Sequence, residues 1–286
     1  MNISKNIHTF IGCDSDYAES RIAIFGAPFD STTSYRPGAR FASSAMRNES
    51  YGIETYSPYQ DKDLLDAEIF DCGDLELCFG SPESALNDIE KMTENIISDG
   101  KLPIMIGGEH LVTLGAVRAA VKKYPDLRIV HFDAHADLRD DYLGQKLSHA
   151  CVMRRCHELL GDGKIFQFGI RSGDREEFLW GKEHVYTNRF DFSGIERIKE
   201  KTGDRPVYFT LDLDVLDPSC FCGTGTPEAG GVSYNELIKA IEKVSELNVI
   251  GLDINELSPT LDQSGASTAL ACNLLREFLL YFYMED

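Results

Sequence analysis

The chain has 286 residues, 43% hydrophobic and 26% charged, ordinary values for a globular protein and enough for a large buried core. Its 28 basic against 47 acidic residues give a formal charge of −19, which argues against a nucleic-acid partner, since backbone binding rests on Lys and Arg. MNISKNIHTF has no apolar signal core and no later run nears a membrane span, so a cytoplasmic protein is expected, without nucleic-acid or membrane partners.

The eight cysteines read as reduced thiols. No pair has zinc-finger spacing: Cys151 and Cys156 are too far apart, Cys220 and Cys222 too close.

In chain order, RIAIFG from Arg21 reads as the first strand. Phe29 to Asp63 shows no periodicity and reads as a large loop. EIFDCGD from Glu68 is the second strand. A helix follows over Ser84 to Ser98, with Leu86, Ile89, Ile96 and Ile97 at helical spacing; Pro82 stands ahead of it and Gly100 after it. PIMIGG from Pro103 is a strand, His110 to Tyr124 a helix, and LRIVHFDAH from Leu127 and KIFQFGI from Lys164 are strands. His184 to Thr187 reads as a short eighth strand. PVYFTLDLD from Pro206 precedes a second large loop, Asp214 to Ser233. Helix Tyr234 to Leu247, strand VIGLDINE from Val249 and helix Ser264 to Tyr283 complete the chain.

Most of these strands are apolar on both faces, the pattern of a parallel sheet covered on both sides. The βα alternation predicts one doubly wound α/β domain over residues 1–286. Ligands in such folds bind beyond the carboxyl ends of strands.

Those strand ends hold the chemistry. PIMIGG runs into Glu109-His110, with Gly107 and Gly108 expected to free the backbone for a turn. LRIVHF runs into Asp133-Ala134-His135-Ala136-Asp137, PVYFTL into Asp212-Leu213-Asp214, and VIGLD into Ile254-Asn255-Glu256. Alternate residues of an extended segment point one way, so Asp133, His135 and Asp137 share a side, as do Asp212 and Asp214. Four carboxylates and two imidazoles without thiolates suit Mn, Mg or non-haem Fe. Six ligands exceed the needs of one ion but serve two if two carboxylates bridge, and four negative charges balance two divalent ions.

These segments resemble the arginase/agmatinase/ureohydrolase family, along nearly the whole chain: GAPFDSTTSYRPGARFA from Gly26, GGEH, FDAHADLR, SHACVMRR, LDLDVLDP, GTGTPEAGG and DINELSP. The resemblance implies a single-domain three-layer α/β sandwich with a parallel eight-stranded sheet, two Mn²⁺ ions and a trimeric or hexameric homo-oligomer. It implies that His110, Asp133, Asp137 and Asp212 hold one ion, and His135, Asp133, Asp212 and Asp214 the other. A water made acidic by two ions would attack a guanidinium carbon, with Asp137 passing the proton to the leaving amine. His149 matches the family's proton-shuttling histidine, and Glu256 the carboxylate that grips the guanidinium.

Other residues read differently. His131, inside its strand, reads as a satisfied core group, and His8, His157 and His184 as surface or structural. Arg154 and Arg155 read as helix-surface or inter-subunit charges. GTGTPEAGG lacks the context of a phosphate loop and is expected to shape the substrate mouth.

For the substrate, Leu138 to Leu147 lacks the Asn and Ser pattern of arginases, so agmatine is expected, giving putrescine and urea. Arg139, read as paired with Asp140 or Asp141, could instead favour the carboxylate of guanidinobutyrate. A catalytically inactive regulatory homologue and a single-ion deacetylase are the rivals from other classes. The residues of Asp217-Pro218-Ser219-Cys220-Phe221-Cys222 depart from the family's Phe-Ala-Pro pattern, and a redox role for the two thiols is the minor alternative.

Overall fold

The computed structural model describes residues 8–283. Its first half comprises β1 (Ile22–Gly26), α1 (Ala42–Glu49), β2 (Tyr56–Ser57), β3 (Lys62–Asp63), β4 (Ile69–Asp74), α2 (Pro82–Ser98), β5 (Leu102–Ile106), α3 (Thr113–Lys123) and β6 (Arg128–Phe132). The second half comprises α4 (Val152–Leu160), β7 (Ile165–Ile170), α5 (Arg175–His184), β8 (Tyr186–Arg189), α6 (Ile198–Thr202), β9 (Val207–Asp212), α7 (Tyr234–Ser245), β10 (Val249–Asn255) and α8 (Ala266–Phe282).

Among the described residues, eight strands form one sheet in the order β4-β1-β5-β10-β9-β6-β7-β8. Every pairing in it is parallel. The strands alternate between two apolar cores, which is why they read as continuous apolar runs. Ile24, Ile104, Ile106, Val130, Phe132, Phe209 and Leu211 face one core, which α1, α7 and α8 complete. Ala23, Phe25, Met105, Ile129 and Tyr208 face the other, which α2, α3 and α4 complete. Three layers result.

Local signals set the helix limits. Ser81 caps α2 by accepting from Ser84 N, with Pro82 in its first turn. Asp174 with Glu177, and Ser233 with Glu236, form capping boxes for α5 and α7. Each satisfies backbone N–H groups that a helix start leaves without partners.

Two expectations need correction. Phe29 to Asp63 is not all loop: it contains α1 and the β2–β3 hairpin. The eighth strand runs from Tyr186 to Arg189, and His184 instead ends α5. Among the described residues no helix is long and apolar enough to cross a membrane.

Candidate metal centre

The chain builds the sheet from both sides and closes it in the middle with β9 and β10. Strands β5, β10, β9 and β6 are therefore neighbours, and being parallel they end on one rim. They deliver His110, Glu256, Asp212 with Asp214, and Asp133 with His135 and Asp137, in that order.

Gly107 and Gly108 are needed for close approach rather than for turning. Neither has positive φ. A Cβ on Gly108 would lie 2.0 Å from the Phe29 carbonyl oxygen, and one on Gly107 1.8 Å from Asn255 Oδ1. In contrast, Asp137 (φ 54°) and Glu256 (φ 66°) hold left-handed backbone without being glycine, a cost that tends to collect at functional sites.

His110 is fully enclosed. Its Nε2 lies 2.8 Å from Thr210 Oγ1, and the Thr210 hydroxyl hydrogen-bonds the Asp253 carboxylate. That chain turns Nδ1 toward the cleft, where it has no hydrogen-bond partner. Around it stand Oδ2 of Asp133, Asp137 and Asp212, at 2.9, 3.2 and 3.4 Å. Such spacings match adjacent corners of an octahedron with bonds of about 2.1 Å, whose ligand atoms sit about 3.0 Å apart.

A second group adjoins the first. His135 Nδ1 lies 2.9 Å from Asp214 Oδ2 and 3.5 Å from Asp133 Oδ1. Asp133 therefore turns one oxygen to each group. Asp212 faces His110 with Oδ2, while its Oδ1 accepts from Asp214 N at 2.8 Å.

Without ions, protons offset the charge. Burial and the Asp133 charge push Asp137 up to about 7. Burial and the charges of Asp214 and Asp133 hold Asp212 well above the carboxylate range. Against their own burial, the carboxylates raise His110 and His135. Asp133 goes the other way: burial opposes ionisation, but contacts from His110, His131 and His135 hold it low.

His131 is a core histidine with a task. Its Nε2 lies 2.8 Å from Asp133 Oδ2, and its Nδ1 lies 3.0 Å from Gln167 Nε2. Gln167 is oriented by donating to Ala136 O at 2.7 Å and accepting from Thr187 Oγ1 at 2.9 Å. The Gln167 amide therefore donates to Nδ1, leaving the His131 proton on Nε2 to hold Asp133.

His149 sits at the mouth of the cleft, its backbone N–H donating to Thr32 Oγ1 at 3.0 Å. Thr32 is gripped by Glu109, which accepts from its N at 2.8 Å and its hydroxyl at 2.5 Å. Burial, followed by neighbouring positive charges, lowers His149 to about 4, so it is neutral at pH 7. Glu109, Thr32, Gln167 and Thr210 were not singled out in the sequence. Their partners are 20 to 117 residues away, so only the fold pairs them.

The cleft encloses about 290 Å³ between His110, His135, Asp137, His149, Asp212 and Glu256 below and Ser34, Arg139, Tyr142, Asp174 and Thr226 above. Glu256 Oε1 accepts from His110 N at 2.8 Å. GTGTPEAGG does border the mouth: Thr226 Oγ1 lies 3.5 Å from Asp214 Oδ2, and Glu228 Oε1 3.8 Å from His135 Nε2. Arg36 ties this segment to the first motif by donating to Thr224 O and Gly225 O.

Over residues 20–281 the chain matches the model of the arginase family. The chain belongs to that family. The agmatinase of Bacillus subtilis (strain 168) is 46% identical over 279 residues, covering 96% of each chain. The guanidinobutyrase of Pseudomonas aeruginosa is 34% identical over 270 residues, covering 90% of this chain and 85% of that one. A crystal structure of a putative agmatinase from Clostridium difficile superposes with a TM-score of 0.91 at 51% identity, covering 94% of this chain and 99% of that one. This arginase-family chain is thus a hydrolase of the C–N bond of linear amidines, a ureohydrolase of guanidino compounds. Members of the family use a binuclear metal site, and the buried His/Asp cluster here could hold metal.

Arg139 and Arg155 depart from expectation. Arg139 pairs with Asp174 at 3.2 Å and Glu177 at 3.4 Å, not with Asp140 or Asp141. Asp140 is taken by Arg155 at 2.9 Å. Arg155 is buried rather than on the helix surface, while Arg154 packs over the Trp180 ring. Cys220 and Cys222 are both free thiols.

Proposed function

We propose that this ureohydrolase acts on agmatine, releasing urea and putrescine, at a site for two Mn²⁺ ions. The observation that carries the metal reading is the enclosed His110 Nδ1, which makes no well-aligned hydrogen bond although three carboxylate oxygens converge on it. His110, Asp133, Asp137 and Asp212 would hold one ion, and Asp133, His135, Asp212 and Asp214 the other. Bound there, two divalent ions would bring the pKa of a water near neutrality and polarise the substrate.

The chain's own residues supply the rest. Glu256 accepts the guanidinium N–H groups, since a carboxylate matches that planar fork, and its left-handed backbone aims it at the cleft. Asp137, in the role the family resemblance implies, moves a proton to the leaving amine. His149, kept neutral by burial, accepts a proton at the mouth and passes it to solvent.

The agmatine tail is an ammonium, and the mouth suits it. Arg139 is neutralised by Asp174 and Glu177, and Glu228 adds a further carboxylate. We further propose a cytoplasmic homo-oligomer of three or six chains, as the family resemblance implies. The test of the substrate reading is urea release by Mn²⁺-loaded protein with agmatine, arginine, guanidinobutyrate and guanidinopropionate at equal concentration. Agmatine should lead by at least about tenfold, roughly 1.4 kcal/mol of transition-state preference. A lead for guanidinobutyrate would make Arg139 the tail receptor instead, and no urea from any of them would support an inactive homologue.

A further inference from the structure

On the side of the molecule formed by α4 and α5, two histidines with no telling spacing in the sequence converge on one oxygen. His157 lies in the last turn of α4, Asp162 in the turn before β7, and His184 at the end of α5. His157 Nε2 is 2.8 Å and His184 Nδ1 2.6 Å from the same Asp162 Oδ1. The rings are held in place. Trp180 stacks on His184 with centroids 4.2 Å apart and meets the edge of His157 at 4.7 Å, while Arg154 lies over the Trp180 ring at 3.8 Å. Three donor atoms from three separate elements are thus gathered on a rigid aromatic platform.

We propose that His157, Asp162 and His184 form a further metal site, for one divalent ion of the zinc class, apart from the catalytic cleft. Two imidazoles and a carboxylate are a borderline donor set, which Zn²⁺ favours over Mn²⁺ or Mg²⁺. Zinc bonds of about 2.0–2.2 Å place tetrahedral ligand atoms about 3.3 Å apart. The two His–Asp162 separations therefore need to open by about 0.5–0.7 Å, and Asp162, 67% exposed, is free to give it. Water fills the remaining position. The ion would fasten the α4–β7 turn to the end of α5, directly before β8, a partly exposed edge strand.

The experiment starts from protein saturated with Mn²⁺ and adds Zn²⁺, following heat of binding, metal content after gel filtration and Tm. Zinc exchange at the catalytic centre is common to native protein and variants and cancels in their difference. The native chain should take up one more Zn²⁺ than the His157→Asn/His184→Asn double variant, with a Kd in the micromolar range or tighter, and its Tm should rise by a few degrees as binding stabilises the folded form. Asp162→Asn, an exposed change that leaves the core intact, should weaken that Zn²⁺ at least tenfold while urea release under Mn²⁺ stays unchanged. Co²⁺ in place of Zn²⁺ should give the native chain a visible d–d band that the double variant lacks. Equal Zn²⁺ uptake by native, double-variant and Asp162→Asn proteins would overturn the site and leave the three residues as a hydrogen-bonded clasp.

Discussion

Asp133 carries more of the centre than any other side chain, because its two oxygens serve two groups of donors. Asp133→Ala should therefore loosen both ions together. Metal analysis should find less than one Mn²⁺ per chain, against the two expected of the native protein, and turnover should fall by more than about 100-fold, beyond the usual cost of losing a supporting residue. A variant that kept both ions would break the bridging assignment. His149 touches neither group closely, and its Nδ1 and Nε2 lie 3.4 Å from the hydroxyls of Thr32 and Ser34. His149→Asn should lower kcat by about 10²-fold, the lower end for a lost proton-transfer group, with Mn²⁺ content unaltered. If Mn²⁺ were lost as well, His149 would be a structural support of the cluster. The metal-type donors were legible because each motif sits within five consecutive residues at a strand end, although alternation does not set every direction: Asp137 has left-handed backbone and Asp214 lies in a 3-10 turn. Arg139 shows the limit of such local reading. Its sequence neighbours Asp140 and Asp141 were the natural partners, yet Asp140 turns to Arg155, and Arg139 finds the capping-box residues of α5.

Helix α1 was missed for a physical reason. Its buried face consists of Ala42, Ser43, Met46 and Arg47, so half of that face is polar and hydrophobic periodicity fails. Arg47 is nonetheless a core residue, with Asp71 accepting from its Nε at 2.8 Å and NH2 at 2.9 Å, and Asp74 accepting from NH1. Asp71 in turn accepts from the backbone N–H of Phe10 and of Gly73, so this pair fastens α1 to β4 and to the segment ahead of β1. Removing the cation would strand a fully buried carboxylate. Arg47→Ala should cost about 3–5 kcal/mol of stability, read as a lower midpoint in urea unfolding, while the Mn²⁺-loaded folded fraction keeps its KM. A loss below about 1 kcal/mol would mean that water replaces the guanidinium there. The strands were easier. Both faces of β1, β7 and β9 are buried throughout, so an apolar run was the whole signal. Polar YTNR, at the sheet edge, carries little of it, and the limits of β8 were correspondingly misplaced.

Across the whole molecule, the sheet order explains both the site and its cost. Closing the sheet with β9 and β10 between β5 and β6 gathers donors from distant segments onto one rim, and that rim then concentrates carboxylates in an enclosed place. Folding without ions must neutralise them with protons. Asp137, Asp212 and Glu256 all have folded pKa values raised above their unfolded ones, first by burial. His110 and His135 are raised as well, by the carboxylates and against burial. A group with a raised folded pKa contributes stability that is complete below its unfolded pKa and is lost as pH rises through the folded one. For the carboxylates that loss begins near pH 4, and for Asp137 it is complete a little above 7; for the histidines it begins near 6.5. Asp133, held low, works oppositely only in acid. Bound divalent ions would remove the need for these protons, and their affinity grows as the ligands deprotonate. Titrations elsewhere in the chain are the same with and without metal and drop out of the comparison. The Tm gap between Mn²⁺-loaded and EDTA-stripped protein should therefore widen steadily from pH 5.5 to pH 8.5. Should the gap stay constant or narrow over that range, the rim would not be the place where ions bind.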